Sequence, residues 1–208
     1  SSGNRGCTIG RSRGPVVAVP VTSPRPDDTA AAARVRAELQ HLSTAAIDAS
    51  SMIYMLKAGF FGYAAAEVSF YTVGPVAEEV GWPELPVKIA DLRRGGNVRW
   101  TRDTIGIADA FVDSDTGAND ELLLRLAATR GLPLVSEDRG LLAQAEEHGL
   151  SYYNALMLLA LIYARGRITA EDYEEYFELL RGVGHYGDNV LAFSRAVALS
   201  GNSETTDS

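Results

Sequence analysis

The sequence of 208 residues predicts an α/β fold, a three-layer α/β/α sandwich around a mainly parallel central sheet with extra C-terminal helices. Three observations predict it. From residue 44 onward, short strand-like runs alternate with helix-like ones. The run "LPLVSED" (132–138) opens apolar without alternation, the pattern of a strand covered on both faces. Helix-like stretches stop at glycines, notably Gly131 and Gly149, just before the next strand-like run.

Residues 1–28 are rich in Ser, Gly, Pro and Arg without periodicity and read as a flexible N-terminal tail. The chain opens on Ser1, as a processed, truncated or engineered product would. A helix preceding the main domain follows over 29–43, with Asp28 as a candidate cap and alanines of high helix propensity. "TAAIDAS" (44–50) is the first core strand. "SMIYMLKAGFFGYAAAEV" (51–68) has helical spacing at Met52, Met55, Leu56 and Phe60, broken by Gly59 and Gly62. "VSFYTV" (68–73) is aromatic and β-branched, hence extended. "GPVAEEVGW" (74–82) starts a short helix with Pro75 in its first turn, where the missing N–H costs little.

"NVRWT" (97–101) alternates as a strand does. Residues 116–131 form a helix with Leu122, Leu123, Leu126 and Ala127 on one face, and 139–149 form another after the strand at 132–138. "SYYNALMLLALIYARG" (151–166) and "TAEDYEEYFELLRGV" (169–183) read as two helices. Thr169 caps the second, with Asp172 at N3 approximating a capping box. "VLAFSRAVAL" (190–199) adds a last helix. The expected organisation is a main domain over 44–165, a C-terminal helical extension over 166–200 and a disordered tail over 201–208.

The chain is 46% hydrophobic and 22% charged, the composition of an ordinary soluble domain that can bury a core without metal or disulfide staples. Its only cysteine, Cys7, allows no intrachain disulfide, in keeping with a cytoplasmic location. His41, His148 and His185 are scattered and make no zinc spacing. The longest apolar run, "ALMLLALIYA" (155–164), falls short of the roughly 20 residues that span a bilayer, and "PVVAVPV" near the N-terminus is not a signal peptide, so no membrane association is expected. The net charge of −8 argues against a generic nucleic-acid binder, which is usually basic. An acidic pocket that binds a metal beside a separate arginine patch escapes that argument.

The chemistry-bearing residues are acids at element ends. Asp48 follows "AAI" and precedes a helix, and Asp138 follows "LPLVSE" and precedes another. Asp120 lies in the first turn of the helix before that strand, and Glu79 lies near the start of the short helix after "FYTV". In parallel α/β sheets, ligands bind at the carboxyl ends of the strands. Carboxylates converging there repel one another and need cations, and hard oxygen ligands suit Mg²⁺ or Mn²⁺. Such sites serve phosphoryl transfer with metal-activated water. Each acid also has an ordinary structural use: Asp48 and Asp138 as helix caps, Asp120 as a dipole partner, and Glu78 and Glu79 as a solvated face.

The order of these acids resembles that of the PIN-domain nucleases. "AIDASSMI" looks like that family's opening strand ending in Asp-x-Ser, and "TVGPVAEEV" like its second, Glu-bearing motif. "TGANDELLLRLAATRGLPLVSEDRGLL" looks like its Asp-headed helix followed by a hydrophobic strand and Thr/Ser-x-Asp. The resemblance covers about 44–150 and extends plausibly through "SYYNALMLLALIYARGRIT" (151–169). It implies catalytic, metal-binding acids at Asp48, Glu79, Asp120 and Asp138, with Ser50 and Ser136 orienting a carboxylate or bound water. Glu78 stands as the alternative to Glu79, Glu67 as a third choice, and Asp113 and Asp115 as sources of an extra acid. Glu137 is left out, because strand alternation points it away from Asp138.

For the substrate, Arg139 directly follows Asp138 and is the best placed phosphate contact. "RRGGNVRWTR" (93–102) holds Arg93, Arg94, Arg99 and Arg102 with Trp100 among them, either a second candidate surface for phosphates and a stacked base or a solvated loop with a core Trp. The implied activity is a Mg²⁺- or Mn²⁺-dependent endonuclease acting on RNA by preference, with a toxin–antitoxin ribonuclease and its antitoxin-like protein partner as one form. The family's habit of dimerising implies a homodimer, and residues 155–164 offer either a covered core helix or a dimer face. Two other readings stand beside it. One is a catalytically inactive PIN-like module that binds RNA or protein. The other is a haloacid-dehalogenase-type phosphatase, which would need an Asp where Ser50 stands.

Overall fold

The computed structural model describes residues 28–73, 75, 76, 80, 105–107 and 119–200. The expected tails (apart from Asp28), the expected strand at 97–101, and Glu78, Glu79, Arg99, Arg102, Asp113 and Asp115 lie outside the described residues.

The described elements are α1 (Asp28–Leu39), β1 (Thr44–Ile47), α2 (Ala49–Ala58), α3 (Phe61–Glu67), β2 (Ser69–Thr72), β3 (Ile105–Ile107) and α4 (Asn119–Arg130), then β4 (Leu134–Val135), α5 (Arg139–Glu147), β5 (Tyr152–Tyr153), α6 (Ala155–Ala164), α7 (Ala170–Val183) and α8 (Asp188–Leu199). The strands form one sheet in the order β3-β2-β1-β4-β5, with every pairing parallel. This is the α/β class with a parallel sheet. Helices α1, α2, α3, α6, α7 and α8 pack among themselves, while α4 packs on β1 and α5, a division compatible with three layers.

The chain runs from β1 outward through β2 to β3, then returns to the other side of β1 for β4 and β5. The order therefore reverses between β1 and β4, and a crevice opens at their carboxyl ends. The strand sequence explains the central position of β1: Ala45, Ala46 and Ile47 are fully buried, as suits a strand covered on both faces. The Oγ1 of Thr72, at the end of β2, donates to the carbonyl of Ile47 at 2.9 Å and braces the last residue of β1.

Four sequence expectations change. The strand expected over 132–138 is confined to Leu134–Val135, with the Pro133 carbonyl and the Ser136 N–H adding single bonds to β1 and β5. The helix expected from 151 begins at Ala155, because Tyr152 and Tyr153 pair with β4 as β5 and Asn154 then caps α6, accepting from the Met157 N–H at 3.0 Å. β3 lies at Ile105–Ile107, a run the sequence did not single out. Of the two glycines expected to break the second helix, only Gly59 does so: its φ of 89° ends α2, and its N–H reaches Met55 and Leu56 carbonyls, while Gly62 is buried inside α3.

Helix α6 is apolar all round and buried throughout Ala155–Ile162. It contacts α1, α2, α3, α7 and α8, so it is a core helix and offers no dimer face along that stretch. The capping box at Thr169 and Asp172 forms as the sequence predicts. Residues of α1, α7 and α8 belong to the same buried cluster as the sheet, so the helices flanking the expected main domain share its core.

At the amino ends of β1 and β2 a single guanidinium holds the corner. Arg165 donates to the carbonyls of Gln40, Leu42 and Glu67 and to the Glu67 carboxylate at 3.2 Å, and Arg167 reaches the same carboxylate at 2.6 Å. Glu67 thus precedes β2, at the sheet end opposite the crevice, and its carboxylate is used there. This removes it from the candidate site acids. Arg165→Met leaves those acceptors without their shared donor, and a loss of about 2–3 kcal/mol is expected in urea unfolding. A loss under about 0.5 kcal/mol, the scale of an exposed pair, would refute this role.

Candidate active site at the carboxyl ends of the central strands

Asp48 is the first residue beyond β1 and the N-cap of α2. It is buried, at 6% exposure. A buried carboxylate is costly unless hydrogen bonds meet it, and here three do. Its Oδ1 accepts from the Ser51 N–H at 2.7 Å, and its Oδ2 accepts from the hydroxyls of Ser50 at 2.6 Å and Ser136 at 2.5 Å. The Asp48 N–H donates to the Val135 carbonyl at 3.1 Å, which sets the height of the carboxylate above β4.

Asp138 is the N-cap of α5, and its Oδ1 accepts from the N–H groups of Gly140 and Leu141 at 2.7 and 3.0 Å. Its own N–H donates to Ser136 Oγ at 3.0 Å. One hydroxyl therefore joins the two acids across the crevice. Asp138 is exposed, unlike Asp48. Both carboxylates are helix caps. That use engages only Oδ1 of each, which is why capping and ligation do not exclude each other.

Sequence reasoning missed Glu137. Glu137 and Asp138 do take different partners, as alternation predicts, but the side to which Glu137 turns is the one that holds Asp48. Glu137 Oε1 accepts from the Ala155 N–H at 2.7 Å and from Ser51 Oγ at 3.3 Å. Ser51 thus gives its N–H to Asp48 and its hydroxyl to Glu137. Burial pushes the Glu137 carboxyl up to about 7, and the neighbouring Asp48 charge adds to the rise, against lowering by the Ala155 N–H, Tyr186 and Ser51. A signal for it existed in the sequence: three residues at the crevice, Ser136, Glu137 and Asp138, stand together after an apolar run.

Glu137 opens onto a cavity of about 540 Å³, lined in part by Ser136, Arg139, Tyr54, Asn154 and Tyr186. Arg139 is exposed at its rim. Asp120 is exposed in the first turn of α4. Of the expected site residues, the structure brings together Asp48, Ser50, Ser136 and Asp138 by direct hydrogen bonds, with Arg139 following; Glu79, Arg99 and Arg102 lie outside the described residues.

The donor chemistry fits a hard divalent cation. Asp48 Oδ1 takes one hydrogen bond, and Asp138 Oδ2 takes none among the described residues, so each acid keeps acceptor positions. Asp48, Asp120 and Asp138 all lie among the described residues, and no group of three or more acid, histidine or cysteine side chains there is placed to hold a metal ion; Glu79, the fourth expected ligand, lies outside them.

Two outcomes test this geometry. Ser136→Ala removes the shared hydroxyl, and a loss of about 1–3 kcal/mol is expected in chemical denaturation. A neutral result would mean that the two corners hold without it. For Glu137, the folded carboxyl binds its proton more tightly than the unfolded one, so its stabilising contribution is complete below the ordinary glutamate value of 4.5 and is lost as pH rises to about 7. In chelator-treated protein, wild type should therefore lose up to about 3 kcal/mol relative to Glu137→Gln between those pH values. Parallel stability–pH curves for the two proteins would contradict it.

No family model, no curated protein and no solved structure matches the chain, so the geometry of the crevice carries its own interpretation.

Proposed function

We propose that the chain is a divalent-metal-dependent endonuclease that hydrolyses phosphodiester bonds, with RNA the favoured substrate. The observation that carries this reading is the Asp48–Ser136–Asp138 bridge at the point where the strand order reverses. Two acids held at adjacent strand ends, with hard-oxygen acceptor positions to spare, match the donor set of a phosphoryl-transfer site.

Asp48 and Asp138 would hold Mg²⁺ or Mn²⁺, with Asp120 and Glu79 completing the ligands that the PIN-domain resemblance implies. The ion would supply Lewis-acid activation of a phosphoryl oxygen and of water. Ser50 and Ser136 hold the Asp48 carboxylate in one orientation, as outer partners of a metal ligand do. Arg139 meets a substrate phosphate from the rim, with Arg99 and Arg102 as a further phosphate surface. Glu137, titrating near neutrality, can take up or hold a proton within the crevice. Partners in this reading are nucleic acid, a second copy of the chain, and a small antitoxin-like protein should the enzyme be a toxin.

One observation favours a second reading, a PIN-like module that binds without cutting. Asp48 already takes three hydrogen bonds, enough to satisfy it as a cap alone. Asp48→Asn keeps an oxygen for the Ser51 N–H and separates the two. Under the nuclease reading, Mn²⁺-dependent cleavage of single-stranded RNA falls to background and Mn²⁺ binding by calorimetry weakens, while the thermal midpoint moves little. Full cleavage by the variant would overturn the assignment of Asp48. Absence of Mn²⁺ binding by wild type would select the binding module.

A further inference from the structure

The cavity beside the acid pair is not explained by metal ligation. Its volume of about 540 Å³ falls within the roughly 300–1,000 Å³ of small-molecule sites. Its walls are aromatic. Tyr54 and Tyr186 meet edge to face, with ring centroids 6.4 Å apart at 81°, and Tyr152 and Tyr153 of β5 also line it. Polar side chains lie among the rings: Glu137, Glu146, Asn154, Asn189 and the Tyr186 hydroxyl, which is buried and makes no hydrogen bond of standard geometry among the described residues. Arg139 and His185 stand at exposed positions on the lining.

Flat aromatic walls, a few groups that can read a polar edge, and a cation at the rim describe a planar heterocycle bearing an anion. Ser136 belongs both to this lining and to the acid bridge, so a ligand in the cavity sits against the site of phosphoryl chemistry. We infer that the cavity seats the base of one unpaired nucleotide, with its phosphate toward Arg139 and the acid pair. A base in a duplex cannot enter such an enclosure without leaving its stack, whereas single strands present bases for stacking on aromatic side chains. The role in cleavage rests on the nuclease reading above; binding of the base does not.

The test uses the full chain in EDTA, titrated with AMP, GMP, CMP, UMP and ribose 5-phosphate, followed by calorimetry. At least one nucleotide should bind saturably, ten times or more tighter than ribose 5-phosphate. Ala143 is exposed on α5 and lines the cavity, so Ala143→Glu adds bulk and negative charge there without disturbing the core. It should weaken nucleotide binding tenfold or more at an unchanged thermal midpoint, and Tyr186→Leu should also weaken binding tenfold or more. The inference is overturned if no nucleotide binds, if ribose 5-phosphate binds as well as nucleotides do, or if both variants bind like wild type. Nucleotide binding by a wild type that never cuts RNA would sink the nuclease reading and leave the pocket standing. Cleavage without nucleotide binding would do the reverse.

Discussion

The crevice depends on one hydroxyl. Ser136 Oγ donates to Asp48 Oδ2 at 2.5 Å and accepts from the Asp138 N–H at 3.0 Å. Those two bonds tie the corner after β1 to the corner after β4, the place where the strand order reverses. The register Ile47↔Val135 brings the two strand ends level, and the Asp48 N–H on the Val135 carbonyl continues the ladder by one bond. The last buried strand residue is braced from the other side by Thr72. A carboxylate mounted this way has little rotational freedom, which is what a site built on rigid elements requires.

The same bonds explain how an acid survives at a core position. Asp48 sits at a helix N-terminus, where unpaired N–H groups and the macrodipole both favour a negative charge. Ser50 and Ser51 extend that welcome from the first turn of α2, and Ser51 serves Glu137 as well. Burial, with the nearby Asp48 charge adding to it, pushes the Glu137 carboxyl up to about 7. The crevice therefore holds carboxyl groups in different environments, Asp48 buried among three hydrogen-bond donors and Asp138 exposed.

What was legible in the sequence follows from what is local. Asp48 and Asp138 could be read because each ends an apolar run and starts a helix, and both caps form. Ser50 and Ser136 enter only through the resemblance to the PIN-domain pattern, and both bond to Asp48. Glu137 could not be read, because alternation turns it from Asp138 without showing that the side it turns to holds Asp48. β5 was hidden for a related reason: Tyr152 and Tyr153 abut an apolar helix, and only pairing with Leu134 and Val135 makes them a strand. The cavity was invisible because it assembles from segments more than a hundred residues apart, Tyr54 from α2 and Tyr186 from the turn before α8.

That last contribution changes the standing of the C-terminal helices. An extension over 166–200 sounds dispensable to a site at the strand ends, yet it carries His185 and Tyr186 to the cavity wall. Their position is set by how α7 and α8 meet. Arg195 of α8 reaches Glu174 at 2.8 Å and Glu178 at 3.4 Å on α7, and its guanidinium lies 4.2 Å from the centre of the Phe177 ring. The charged contacts are exposed and individually weak, but the cation over an aromatic face fixes the pair in rotation as well as distance. α8 in turn packs on α6 and α1, and α7 packs on α2, the helix that Asp48 caps. Tyr186 is therefore held against Tyr54 by the packing that also seats α2, so the acid bridge and the aromatic wall are two ends of one rigid assembly.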